Sequence, residues 1–299
     1  MGNIFAAAAA VLAAALLWDS AAAAEAVRQG IELCFASVIP ALFPFFAVSS
    51  LLVSLGLGNA ARRLERPFRA AFRCGGAGAA AFLLGLLGGY PVGAATVASL
   101  VRRGDVSPAE GQRLLAFCSN AGPAFILGIA GLGVFGSARA GAYLYLIHAA
   151  AAVVTGLLLR GRGGGEYGHR APERAAPPVR AFLDAVQGAA AAMGRVCAFV
   201  VFFRVVLALA EHRVGALPAW AAGFWELTNG ILRLEPTRDG FVTAAALLGW
   251  GGVSVHGQTA AVLEGTGLRM GRYLLGKAVQ AAVSAALAAL VWHLAAGGA

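Results

Sequence analysis

The sequence predicts an all-α polytopic membrane protein with about seven transmembrane helices and two re-entrant helical hairpins arranged as an inverted repeat. Three observations carry this expectation. The 299 residues are 60% hydrophobic and only 12% charged, with a mean hydropathy of +0.76, whereas a soluble chain carries about 25% charged residues. The apolar runs are long enough to cross a bilayer at about 20 residues per crossing. Four of these stretches are interrupted by glycine, proline and polar residues, two in each half of the chain. The interruptions are Gly88-Gly89-Tyr90-Pro91-Val92-Gly93, Ser119-Asn120-Ala121-Gly122-Pro123, Glu226-Leu227-Thr228-Asn229-Gly230 and Gly251 to Gln258.

Taken in order, the first run covers 3–18 and extends toward Ala24. It ends in alanines, as a signal peptide does, but lacks the basic start a signal peptide needs and is read as a first span. Further spans are expected at 31–57, 107–135, 139–160, 181–210, 241–263 and 272–294. The stretches 76–101 and 218–232 are too short or too broken to cross. Each is read as a hairpin that enters and leaves on one side, the first folded at Gly88–Gly93 and the second near Thr228–Gly230.

Charge assigns the sides. Arg62, Arg63, Arg66, Arg69 and Arg73, then Arg102 and Arg103, the linker 161–180 with Arg160, Arg162, Arg170, Arg174 and Arg180 around it, and Arg269, Arg272 and Lys277 are expected on the cytoplasmic face. The loop 19–30, with Asp19, Glu25 and Arg28, falls opposite, as do 211–217 and 233–240. A single domain, 1–299, then contains a first repeat at about 31–160 and an inverted second repeat at about 181–295. The net charge of +9 lies in short loops, so no nucleic acid is expected as partner.

The breaks carry the candidate chemistry. In lipid an unpaired backbone group costs several kcal/mol, so non-helical backbone survives only inside protein or beside a wet cavity. Pro91 disfavours helix at Tyr90, and the run from Val92 restarts with free N–H groups suited to an anion. Ser119 and Asn120 precede Pro123 and supply hydrogen-bonding groups beside unpaired carbonyls. Glu226, with Thr228 and Asn229, places a carboxylate at membrane depth, a functional hypothesis by default. Ser254, His256 and Gln258 alternate at spacing two, which would aim them together on an unwound segment. Arg195 stands near the centre of span 181–210 as a charge partner for Glu226 or for an anionic substrate, and Arg204 sits nearer the outer end, where it can snorkel. Pro40 and Pro44 kink the second span. The expected substrate contacts are therefore Tyr90, Gly93, Ser119, Asn120, Glu226, Thr228, Asn229, Ser254, His256 and Gln258.

No enzyme is expected, because no nearby carboxylate orients His256 beside Ser254. No cofactor and no metal site are expected either. Cys34, Cys74, Cys118 and Cys197 lack metal-ligand spacing and read as small buried packers. The pattern points to a secondary transporter in the lipid bilayer, with coupling by proton or sodium and self-association both left open. A membrane protein that recruits partners without transporting anything is the reading from another class.

Pro40-Ala41-Leu42-Phe43-Pro44-Phe45, Gly89-Tyr90-Pro91-Val92-Gly93-Ala94, Ser119-Asn120-Ala121-Gly122-Pro123-Ala124-Phe125, Glu226-Leu227-Thr228-Asn229-Gly230 and Gly251 to Gln258 occur in an order that resembles the sporulation integral membrane protein family of spore-forming Firmicutes. The members of that family carry nucleoside-recognition Gate domains. The resemblance runs from about residue 30 to 295, and the start Ser107-Pro108-Ala109-Glu110 shares it. It implies a fold related to concentrative nucleoside transporters. It also implies export of dipicolinate, a small aromatic dianion, from the mother cell across the outer forespore membrane. Nucleosides are the alternative substrate. The chain is shorter than nucleoside transporters, and Gly-Tyr-Pro replaces the acidic tip expected there.

Overall fold

The computed structural model describes residues 2–55, 64–161 and 177–296, and every regular element among them is helical. The first helices are α1 (Gly2–Trp18), α2 (Ser20–Leu33), a π turn (Cys34–Val38) and α3 (Ile39–Ser54). After α4 (Glu65–Phe72) come α5 (Gly76–Gly88) and α6 (Val92–Arg102), the two arms of the first hairpin. Then follow α7 (Pro108–Cys118), a π-helical segment (Ala124–Val134) and α8 (Ala138–Leu158). The second half repeats the order: α9 (Pro178–Val214), the hairpin α10 (Ala219–Trp225) and α11 (Leu227–Ile231), the broken pair α12 (Arg238–Trp250) and α13 (Gly252–Leu263), and α14 (Met270–Ala296).

Among the described residues, four helices are individually long and apolar enough to cross a membrane: Ser20–Val48, Ala138–Leu158, Pro178–Val214 and Met270–Trp292. The pair Glu65–Phe72 and Gly76–Gly88, bent by 88°, makes a fifth if it is one span. The expected spans 107–135 and 241–263 are each two helices rather than one. The second span also begins earlier than expected. Helix α2 starts at Ser20, because Asp19 interrupts the chain and Glu25 then braces its own turn through Arg28 (2.6 Å) and Gln29 (2.8 Å). The π turn lies just before Pro40, whose missing N–H disturbs the i→i−4 ladder.

Long helices pack on their counterparts in the other half. Helix α9 lies against α2 and α3, while α14 lies against α8, α12 and α7. The two halves thus share one interior rather than two. Beneath the first hairpin, Phe68, Phe72, Phe82 and Phe117 form an aromatic cluster with centroids 4.6–6.2 Å apart.

The arginines gather where charge patterning expects a common face. Arg73 donates to the Gly161 carbonyl (2.9 Å), Arg102 to those of Val262 and Glu264 (both 2.8 Å), and Arg272 to that of Leu159. Gln112 and the Arg269 backbone exchange two bonds (2.7 and 2.8 Å). A second cluster joins Arg213 to Asp19 (2.8 Å) and Arg233 to Glu211. Arg62, Arg63, Arg162, Arg170, Arg174 and most of the linker 161–180 lie outside the described residues. Lys277 departs from the expected loop group. It lies within α14 and is fully buried.

Candidate functional site

Each break frees carbonyls, and their new partners define the site. Helix α7 stops at Cys118. In a continued helix the Ser119 carbonyl would accept from residue 123, but Pro123 has no N–H. Lys277 Nζ donates to that carbonyl instead, at 2.9 Å. The Phe117 carbonyl accepts from Asn120 Nδ2 (2.9 Å), and the Ala121 N–H donates to His148 Nε2 (3.0 Å). In the second half, α12 ends at Trp250, and the Gly251 and Gly252 that follow adopt φ of +90° and +85°. Those values suit glycine alone. The Leu248 carbonyl, stripped of its helical partner, accepts from the Tyr90 hydroxyl at 3.0 Å.

The first hairpin reaches these carbonyls because its arms are bare where they meet α7. A side chain at Gly85 or at Gly93 would run into the Cys118 carbonyl oxygen. Gly89 at the tip lies backbone to backbone against Gly122, and the Tyr90 ring lies over Gly251. The first tip therefore touches both breaks at once.

The second hairpin turns at Glu226 alone, and Thr228–Gly230, where the fold was expected, are helical. Glu226 caps α11: its carboxylate accepts from the Thr228 N–H (3.1 Å), the Asn229 N–H (2.7 Å) and Asn229 Nδ2 (2.8 Å). Leu227 at this tip packs on Gly252.

Both hairpin tips and the break between Cys118 and Ala124 border one cavity of about 50 Å³, which Val255 and Gln258 of α13 also line. Tyr90, Gly122, Glu226, Thr228 and Gln258 face it, and Phe45, Phe46 and Phe125 give it aromatic walls. Gln258 Oε1 is buried there without a hydrogen-bond partner. Behind Tyr90 stands Lys277. Its ammonium donates to Tyr90 Oη (2.7 Å), the Ser119 carbonyl (2.9 Å) and Gln280 Oε1 (2.7 Å), and lies 4.9 Å from the Tyr90 ring centroid. Gln280 passes the link on to Asn120 Oδ1 at 2.9 Å. Burying an ammonium costs several kcal/mol, and meeting all three of its donors offsets part of that cost.

The expected contacts thus divide. Tyr90, Glu226, Thr228 and Gln258 line the cavity, and Asn229 steadies Glu226. Ser119 and Asn120 belong to the Lys277 network, while Gly93 is a packing residue. Ser254 and His256 lie on continuous α13 rather than on an unwound segment, so alternate positions diverge on the helix. His256 Nδ1 pairs with the Tyr273 hydroxyl at 3.0 Å, away from the cavity. Arg195 is exposed on α9 and no ion pair joins it to Glu226, whose oxygens face their own helix. Arg204 bonds Gln29 (2.6 Å) instead of snorkelling free.

Lys277, Gln280, Tyr273 and His148 are buried polar residues around this site that hydropathy does not single out. A signal for them exists. Tyr273, Lys277, Gln280 and Ser284 recur at spacings of four, three and four, which places a polar stripe on the buried face of an otherwise apolar helix. Lys277 is also the chain's one lysine against 22 arginines.

The chain is similar to the sporulation integral membrane protein YlbJ of Bacillus subtilis (strain 168). The two are 27% identical along 327 aligned positions that cover 94% of this chain and 80% of the relative. No family model matches the chain, nor does any solved structure. That relative is a sporulation integral membrane protein, and the similarity covers nearly the whole of this chain.

Proposed function

We propose that the protein is a transporter for a small aromatic anion, with dipicolinate leaving the mother cell through the outer forespore membrane as its substrate. One observation carries this reading: both hairpin tips, the first helix break and the first turns of α13 meet at a single cavity with aromatic walls and a buried cation one hydroxyl away. Phe45, Phe46, Phe125 and Tyr90 offer faces to a planar ring. Lys277, not Arg195, supplies the positive potential, and the glutamate in the wall has its carboxylate engaged by three N–H donors. The broken pairs α7 with its π-helical continuation and α12 with α13 complete the membrane crossings beside the long helices. The repeated order of elements supports an inverted repeat of the kind that works by alternating access.

The test is uptake of labelled dipicolinate, and of nucleosides, by proteoliposomes containing the purified protein. Ala121→Leu, which fills the cavity, and Gln258→Ala are expected to abolish or strongly reduce dipicolinate uptake at unchanged protein level and melting temperature. Unchanged uptake in the filled variant sinks the cavity as the route, and uptake of nucleosides alone replaces the substrate.

A further inference from the structure

We infer that the Lys277 ammonium permanently occupies the position of a coupling cation, so that this carrier works without sodium. The inference rests on the transporter reading above and adds what drives it.

Coupling cations in broken-helix carriers sit where unwound carbonyls and the C-terminal ends of half-helices converge. That position exists here. Helix α7 ends at Cys118 and α12 at Trp250, and each turns the negative end of its dipole inward. The Ser119 carbonyl from the first break binds Lys277 directly. The Leu248 carbonyl from the second binds it through the Tyr90 hydroxyl, which donates to Leu248 and accepts from the ammonium. Gln280 Oε1 completes a shell of three oxygens at 2.7–2.9 Å, all neutral. Among the described residues no acidic side chain forms an ion pair with Lys277. A neutral oxygen shell around one compact positive charge is the chemistry of a monovalent cation site.

The residue type fits the same role. An ammonium is a compact point charge with three rotatable donors, whereas a guanidinium is a planar fork. The 22 other side chains of the lysine and arginine class are all arginine, and lysine stands only where the charge is enclosed. Gly276 beside it admits the approach: a side chain there would run into the Ala116 carbonyl oxygen, holding α14 off α7. The tether converts a cation that would bind and leave into one that stays. Substrate then moves without sodium, and Tyr90, held between the fixed charge and the cavity, is the residue through which that charge reaches the guest.

The experiment measures melting temperature of the purified full chain in sodium chloride, choline chloride and methylammonium chloride, and dipicolinate uptake in sodium or choline media. The wild type is expected to melt at the same temperature in sodium as in choline and to transport equally in both. Lys277→Ala is expected to melt lower in choline and to be raised in sodium or methylammonium by about 2–4 °C or more, because the emptied shell binds a small cation. Lys277→Gln serves where the alanine variant does not fold, and it should show the same ion response. A sodium-specific rise in the wild type, sodium-stimulated uptake, or variants that melt equally low in every salt would overturn the inference. The melting measurements need no substrate, so absent dipicolinate uptake with the expected ion response sinks the transport reading and leaves the tethered cation standing. Should neither variant be purified, the wild-type comparison of sodium with choline decides the matter.

Discussion

The two hairpin tips occupy matching places in the two halves and are secured by opposite means. The first tip has almost nothing of its own. Tyr90 is held by Leu248 and Lys277, which lie 158 and 187 residues away in the chain, and Gly89 rests on Gly122. The second tip is nearly self-sufficient, because Glu226 satisfies the first N–H groups of the helix it begins. The contrast teaches that one half presents a preformed edge to the cavity while the other half's edge forms only when the whole interior is assembled.

Three substitutions sharpen that contrast, taken from the largest effect to the smallest. Gly93→Val drives a side chain into the Cys118 carbonyl and pushes the first hairpin off α7. Overpacking of this kind costs about 1–3 kcal/mol or more, and a sharp loss of folded protein on size-exclusion chromatography is expected. A normal elution profile would show that the arms do not meet as closely as described. Glu226→Ala removes a cap and is expected to cost about 0.5–2 kcal/mol, read as a lower melting temperature while Tyr90 and Lys277 stay in place. If it destabilises the protein more than Gly93→Val does, the second tip is not self-sufficient. Arg195→Ala is expected to stay within about ±0.5 kcal/mol, as exposed side chains do, with uptake unchanged. A loss of uptake there would restore Arg195 as the charge that meets the substrate.

The reading of the sequence was strongest where a local rule acts. Pro123 removes the N–H that the Ser119 carbonyl would use in a helix and so favours a break there, and Gly251 permits one. It was weakest where the outcome depends on neighbours. Gly252 to Gln258 holds three polar residues and two glycines, yet packing against α6 and α9 keeps it helical. Lys277 looked like one more loop charge because hydropathy averages a window and ignores which face a residue takes.

Composition determined by itself that this chain is helical and suited to lipid, and its clusters of proline, glycine and polar residues marked the regions where helices break, because lipid demands paired backbone groups and proline or glycine weakens that pairing locally. Only the tertiary structure decided which distant groups answer the freed carbonyls. A carbonyl without its helical donor accepts from whatever donor the packing brings within reach, and here packing brings a single buried lysine from the last helix.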